Sequence, residues 1–176
     1  MSESEPSPEV PPAKSANRRR VLVLLAVIAG FAIYIAWSIG TYDPYYVAAV
    51  VHPNLLYLKS DEGVELISVD CPPVQDVKVG KPATDFVIGN VLHRRIRIES
   101  GEQPKNEAGR TLGYVFYKDA SGKERFLNED LLRRGYGRLK LAFPNLKYRK
   151  ELEAAEAEAN EKQLGIWAPD YPDGKK

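Results

Sequence analysis

The sequence predicts an α+β protein: a small β-barrel of about five strands with about three helices packed on it, preceded by one transmembrane helix. Three observations carry that prediction. Residues 21–40 contain no charged side chain, short β-rich runs separated by turn residues fill residues 45–127, and helix-patterned segments interrupt and follow those runs.

The run from Val21 to Gly40, VLVLLAVIAGFAIYIAWSIG, would extend about 30 Å as a helix, the thickness of a bilayer's hydrocarbon core. Arg18, Arg19 and Arg20 stand immediately before it, and no cation follows until Lys59. The positive-inside rule therefore places the N-terminus in the cytosol and the following domain outside it. A cleaved signal peptide is the rival reading. The long preceding tail, the length of the run and the lack of an A-x-A site after Trp37 favour an uncleaved single-pass anchor. Residues 1–20 are rich in Ser, Glu and Pro, and are expected to be a disordered cytosolic tail.

Residues 41–176 are the size of one compact domain. Tyr45–Val51, Leu55–Leu58 and Val64–Val69 read as strands, the last two separated by the turn cluster Lys59–Gly63. Pro72 and Pro73 end the third run, because a central strand cannot use residues without an N–H. A loop to about Pro82, a helix over Ala83–Leu92 and a strand over Arg95–Glu99 follow. Leu112–Tyr117 and Lys123–Leu127 form a hairpin about Asp119–Gly122. Asn128 is the expected cap of a short helix with Glu129 and Asp130 in its first turn, Arg133 and Arg134 in its last, and Gly135 after its end. The final helix is predicted from about Asn145 to Gly165, with Tyr148, Leu152, Ala155 and Ala159 on one face and Ile166 and Trp167 folding back as an anchor. Short strands interrupted by one helix and followed by two more fit the OB-type barrel plan.

Formal net charge is +1, and residues 1–20 already sum to +1, so the remainder is neutral and no strongly basic nucleic-acid binder is indicated. Cys71 is the only cysteine, which excludes a disulfide framework and a cysteine-rich metal site.

Three segments, in order, carry a family resemblance: Val69-Asp70-Cys71-Pro72-Pro73, then Gly109-Arg110-Thr111-Leu112-Gly113-Tyr114, then Asn128 to Gly135 with the Gly165-Ile166-Trp167 ending. They resemble the Val-Asp-x-Pro-Glu, Gly-Arg-x-Leu-x-Tyr and Asn-x-x-Leu-x-x-x-Gly motifs of the staphylococcal nuclease (thermonuclease) family. The resemblance covers Val64–Trp167 and implies an SNase-like fold and calcium-dependent hydrolysis of DNA or RNA phosphodiesters.

Such chemistry needs several oxygen ligands for a hard cation, a carboxylate to orient or deprotonate water, and arginines for the developing charge. By resemblance, Asp70 and Arg110 keep family positions, Asp70 as a metal ligand and Arg110 as a phosphate clamp. Glu65 stands where the family has its other arginine, Pro73 where it has the glutamate that acts as base, and Glu107 where it has a lysine. The family's early Asp-Gly-Asp strand is replaced near His52-Pro53-Asn54, and its nucleotide-packing tyrosine falls in Leu141-Ala142-Phe143. Arg110 has a structural reading too, as partner of Asp70 or Glu65.

Seven basic residues and no acid lie between Arg133 and Lys150, which makes Arg133, Arg134, Arg138 and Lys140 possible phosphate or anion contacts; helix-end complementarity explains several equally well. The expected function is a membrane-anchored, catalytically degenerate thermonuclease-like domain that binds nucleic acid or a partner protein, with no cofactor. The alternative is an active, divergent endonuclease using Ca2+ outside the cytosol, with Glu65 or Asp76 supplying the missing carboxylate. A structural envelope anchor is a third.

Overall fold

The computed structural model describes residues 15–40 and 45–172, and the chain divides into two units, Met1–Tyr42 and Asp43–Lys176. In the first unit, helix α1 spans Ser15–Gly40. Its start lies before the predicted Val21, so residues 15–20, expected in a disordered tail, are helical. No proline or glycine after Pro12 interrupts the segment until Gly30. The rest of the predicted tail, residues 1–14, lies outside the described residues. Among the described residues no helix is long and apolar enough to cross a membrane. The spanning segment read over residues 21–40 takes in side chains at 32 and 34–40 that lie outside them.

In the second unit the β-rich runs form β1 (Val47–His52), β2 (Leu55–Leu58), β3 (Gly63–Leu66), β5 (Ile96–Lys105), β6 (Thr111–Lys118) and β7 (Glu124–Phe126), with a short β4 (Val69–Asp70) and β8 (Arg138–Leu139) paired to one side. The strand order is β1-β2-β3-β6-β5 with β7 on β6. β3 and β6 run parallel, while the other neighbours are antiparallel. The β5 end of this order returns to β1: Tyr46 bridges Arg95, Val47 N–H donates to Arg94 O at 3.0 Å and Ile96 N–H donates to Tyr45 O at 3.1 Å. The sheet thus closes on itself, which is the expected barrel. Alternation delivers its core: Leu56, Leu58, Val64 and Leu66 are buried while their strand neighbours are half-exposed.

Helix α2 (Gly80–Val91) crosses between the β3–β4 segment and β5, α3 (Leu127–Arg133) follows β7, and α4 (Arg149–Glu161) precedes a 3-10 turn at Gly165–Trp167. Leu152, Ala155 and Ala159 are buried as the helical spacing requires, and Ile166 of the final turn is buried with Val79 and Tyr171. At the end of α3, Gly135 adopts φ +68° and its carbonyl accepts from Ile166 N–H at 2.9 Å, so this C-terminal glycine also receives the final turn.

Several boundaries depart from expectation: β5 runs on to Lys105 beyond the predicted end at Glu99, α4 ends at Glu161 before Gly165, and four more have a local cause. Val64–Val69 is not one strand: Ser68 takes φ +63°, which turns the chain out of the barrel so that Val69 and Asp70 pair with β8 instead. Helix α2 begins at Gly80, so Pro82 lies in its first turn, where no intrahelical donor is missed. Asn128 is not a cap, since α3 begins at Leu127 after Phe126. Its fully buried amide instead accepts from Val115 N–H at 3.0 Å and donates to Ile67 O at 2.9 Å. Asn145 does not start the last helix either: its side chain accepts from Gln103 N–H at 2.8 Å and donates to Gln103 O at 3.1 Å, pairing with the β5 backbone as a strand would.

Candidate functional site

Glu65 and Arg110 come from elements far apart in sequence that the parallel pairing of β3 with β6 makes neighbours, Val64 facing Thr111 and Glu65 facing Leu112. Arg110 Nη1 lies 3.5 Å from Glu65 Oε2. Asn106 completes the arrangement: its amide donates to the same Glu65 oxygen at 2.8 Å, and its carbonyl oxygen accepts from Arg110 N–H at 3.0 Å. The Asn106–Gly109 turn, closed by a 3.0 Å bond from Gly109 N–H to Asn106 O and by Gly109 at φ +76°, thereby fixes both where Arg110 leaves the loop and what its guanidinium meets. Arg110 is 41% and Glu65 33% exposed, so the pair sits at the surface rather than inside the barrel mouth. Glu107 is exposed on that turn.

Asp70 lies elsewhere, on β4 opposite Arg138 of β8. Among the described residues it forms no ion pair with Arg110. It lines a cleft of about 340 Å³ with Pro72, Pro73, Asp76 and Tyr171. Pro73 offers this cleft only a backbone carbonyl, and Gly80 packs so tightly on that carbonyl that an added Cβ would sit 1.9 Å from it. The neighbouring Cys71 thiol is pushed up to about 12 by burial first and the Asp70 charge second, so it stays a neutral thiol. Asp76 is occupied. One oxygen accepts from Lys78 N–H at 2.9 Å and Val79 N–H at 3.0 Å, the other accepts from Tyr171 O–H at 2.6 Å, and these bonds hold its carboxyl below the usual range, Tyr171 contributing most.

Next to Asp70, the β1–β2 turn places Asn54, whose amide donates to Val69 O at 3.0 Å and whose Oδ1 is 2.5 Å from His52 Nδ1. A calcium ion, which the resemblance implies, takes about six to eight oxygen ligands, several of them anionic. Around Asp70 stand an already bonded amide and a proline, and among the described residues no three His, Cys, Asp or Glu side chains gather where they could hold a metal. The donors present do not fit such a site.

The basic stretch is largely spoken for. Arg133, read as a possible phosphate contact, bonds Glu129 at 2.5 Å and Glu158 at 2.9 Å, which leaves its guanidinium neutralised. Arg134 lies 4.4 Å over the Phe86 ring and Arg138 5.1 Å over the Trp167 ring. Lys140 is exposed, and Phe143 is 71% exposed. Lys147 bonds Glu99 at 2.6 Å and Arg149 bonds Glu153 at 2.6 Å.

Sequence reasoning found Glu65, Asp70, Pro73 and Arg110 but not Asn106. The Asn-x-x-Gly spacing ahead of Arg110 signals the turn, though not the reach of its amide to Glu65.

The staphylococcal nuclease homologue family model matches residues 63–169. The chain is 38% identical over 135 residues to a thermonuclease from Staphylococcus intermedius, covering 71% of this chain and 76% of that protein. It is 34% identical over 134 residues to a thermonuclease from Staphylococcus hyicus, covering 70% and 75%. These similarities support a function of nuclease type at the level of class.

Proposed function

We propose, from the premise that the chain belongs to the staphylococcal nuclease homologue family, that its barrel is a catalytically silent binding module for nucleic acid or a partner protein, held at a membrane by its N-terminal apolar segment. The observation that carries the catalytic half is the Glu65–Arg110 pair with Asn106 clamped to it.

A phosphodiester transition state gathers negative charge that an enzyme meets with fixed cations. Here a carboxylate faces the one arginine retained by resemblance. Two unit charges about 4 Å apart near a protein surface interact by about 4 kcal/mol, so Glu65 opposes an incoming phosphate about as strongly as Arg110 attracts it. Pro73 cannot accept a proton, and general-base assistance contributes about 10²–10⁴ in rate. Together these losses leave a barrel with a recognition surface and no engine.

The tether rests on the uncharged run of residues 21–40, the three arginines before it and the 26-residue helix that contains it. At about 1.5 Å per residue that helix is about 39 Å long, enough for a bilayer core. The arginines orient it with the N-terminus in the cytosol and the barrel outside.

The test is hydrolysis of single-stranded DNA and RNA by the full chain, with calcium and with chelator, beside Arg110→Ala. No calcium-dependent cleavage by either protein is expected. Cleavage by the wild type that vanishes in Arg110→Ala would overturn this reading and establish a divergent calcium-dependent endonuclease, the alternative that 38% identity to a thermonuclease favours.

A further inference from the structure

The seam that closes the barrel gathers cations from three separate segments. Lys59 follows β2, and its N–H donates to Tyr46 O at 2.8 Å. Arg94 and Arg95 precede β5 and bond or bridge the backbone of Tyr46 and Val47. Lys118 ends β6, one residue beyond the Tyr117–Ile96 pair. All four side chains are exposed, as is His93, whose ring stacks on Tyr46 at 6.3 Å, and Tyr45 is 51% exposed. The acids on these turns are Asp61 and Glu62 after Lys59 and Asp119 after Lys118, and the Glu62 carboxylate accepts from the Thr111 hydroxyl. The Asp119 carboxylate is tied down by Ser121 and Lys123 backbone N–H groups at 2.9 and 3.1 Å. Glu124, the register partner of Lys118, is bound by Arg97. With Glu124 paired to Arg97, the cations Lys59, Arg94, Arg95 and Lys118 outnumber Asp61, Glu62 and Asp119 by one, and tyrosines flank them.

This is also where the chain enters the barrel. Six residues, 41–46, separate Gly40 from Val47. Fully extended they reach about 20 Å. For a bilayer that holds residues 21–40, that length is the upper bound on the distance from the hydrocarbon edge to the seam, and the headgroup layer takes up about 5–7 Å of it. The chain is therefore short enough for the seam to reach the range of about 8 Å over which surface charge acts at physiological salt. Tyrosines and cations at such a depth are the side chains that favour a headgroup layer.

We infer that the Tyr45, Lys59, Arg94 and Lys118 seam is a docking surface for anionic phospholipid headgroups of the leaflet into which the chain is anchored. This rests on the anchor proposed above. Docking at the seam turns the Ser100–Lys105 end of β5 and the Glu65–Arg110 pair away from the bilayer, free to meet a partner.

The experiment uses the full chain in nanodiscs of phosphatidylcholine alone or with 30% phosphatidylglycerol, the acceptor dye on a trace headgroup-labelled lipid. The donor is attached at Ala120→Cys, on the turn after Lys118, or at Glu102→Cys, far along β5. In the anionic discs energy transfer from position 120 should exceed that from 102. In neutral discs, or in Lys59→Gln and Arg94→Gln, the difference should shrink, each lost cation lowering the docked-to-free ratio about fivefold.

Release of the chain from the discs by alkaline carbonate would refute the anchor. Retention with equal transfer from the two positions, or a difference indifferent to phosphatidylglycerol, would refute the docking surface alone. Binding of a single-stranded oligonucleotide that Arg94→Gln abolishes, with transfer unchanged by lipid charge, would assign the seam to nucleic acid and overturn the proposal.

Discussion

Replacing Asn128 by alanine removes a cross-link among three elements. The fully buried amide on α3 accepts from Val115 N–H of β6 and donates to Ile67 O between β3 and β4, and Val115 and Ile67 are themselves 0% and 1% exposed. Alanine leaves one donor and one acceptor without partners in the core, at about 1–3 kcal/mol each, so the expected loss is roughly 2–6 kcal/mol. Small domains have about 5–15 kcal/mol in all. Asn128→Asp separates the two bonds: its carboxylate still accepts from Val115 but faces the Ile67 carbonyl with a charge, whereas the protonated acid can donate to it. Burial raises such an acid's pKa in the fold, so this variant should gain stability relative to wild type as pH falls from 7 towards 4. Urea unfolding followed by circular dichroism at several pH values measures both effects. An alanine variant within about 0.5 kcal/mol of wild type, the range of an ordinary surface substitution, would refute the cross-link.

Gly135→Ala should lower the unfolding midpoint sharply, because the residue sits at φ +68° and its new Cβ would lie 2.1 Å from Leu164 O; an unchanged midpoint would refute the packing of α3 against the final turn. Cys71, its thiol pushed up to about 12 by burial, should react with a disulfide reagent at pH 8 only as fast as the domain opens, and at once in denaturant. Prompt stoichiometric labelling of the native chain would show the thiol to be accessible. The Glu99 carboxyl is held down at about 2, from an ordinary 4.5, by bonds from Lys147, Tyr148 and Arg97 in that order. A depressed folded value contributes stability that is present above about 4.5 and is lost as pH falls towards 2. The stability difference between wild type and Glu99→Gln should therefore shrink through that window, and a difference that grows there would refute the network.

Where side-chain period and turn chemistry agree, the fold was readable from the residues. The Leu55–Leu58 strand, the β6–β7 hairpin, the end of α3 at Gly135 and the Leu152–Ala155–Ala159 face stand as predicted. Two of the failures share one cause. Asparagine advertises caps and turns, yet Asn128 and Asn145 spend their amides on backbone far away in sequence, Asn128 on Ile67 and Asn145 on Gln103. The break at Ser68 had no glycine to signal a positive φ. For the site, motif spacing located Glu65, Asp70, Pro73 and Arg110 and left Asp70 and Glu65 as alternative partners of Arg110; the parallel β3–β6 register, a tertiary fact, decides for Glu65.

Charge makes the same point in reverse. The basic stretch Arg133–Lys150 looks like an anion site because the sequence places no acid within it. Folding supplies the acids from outside the stretch or from its far edge: Glu158 and Glu129 to Arg133, Glu99 to Lys147 and Glu153 to Arg149. The seam cations Lys59, Arg94 and Lys118 lie 24 or more residues apart, and so attract no notice in the sequence. The barrel's closure brings their backbones towards Tyr46 and Ile96, while Asp119 and Glu124 are engaged elsewhere. Surface potential follows from net charge within about a Debye length in space. An anionic surface should therefore respond to single substitutions at Lys59 or Arg94 more than to one at Arg133, whose removal also strands two glutamates.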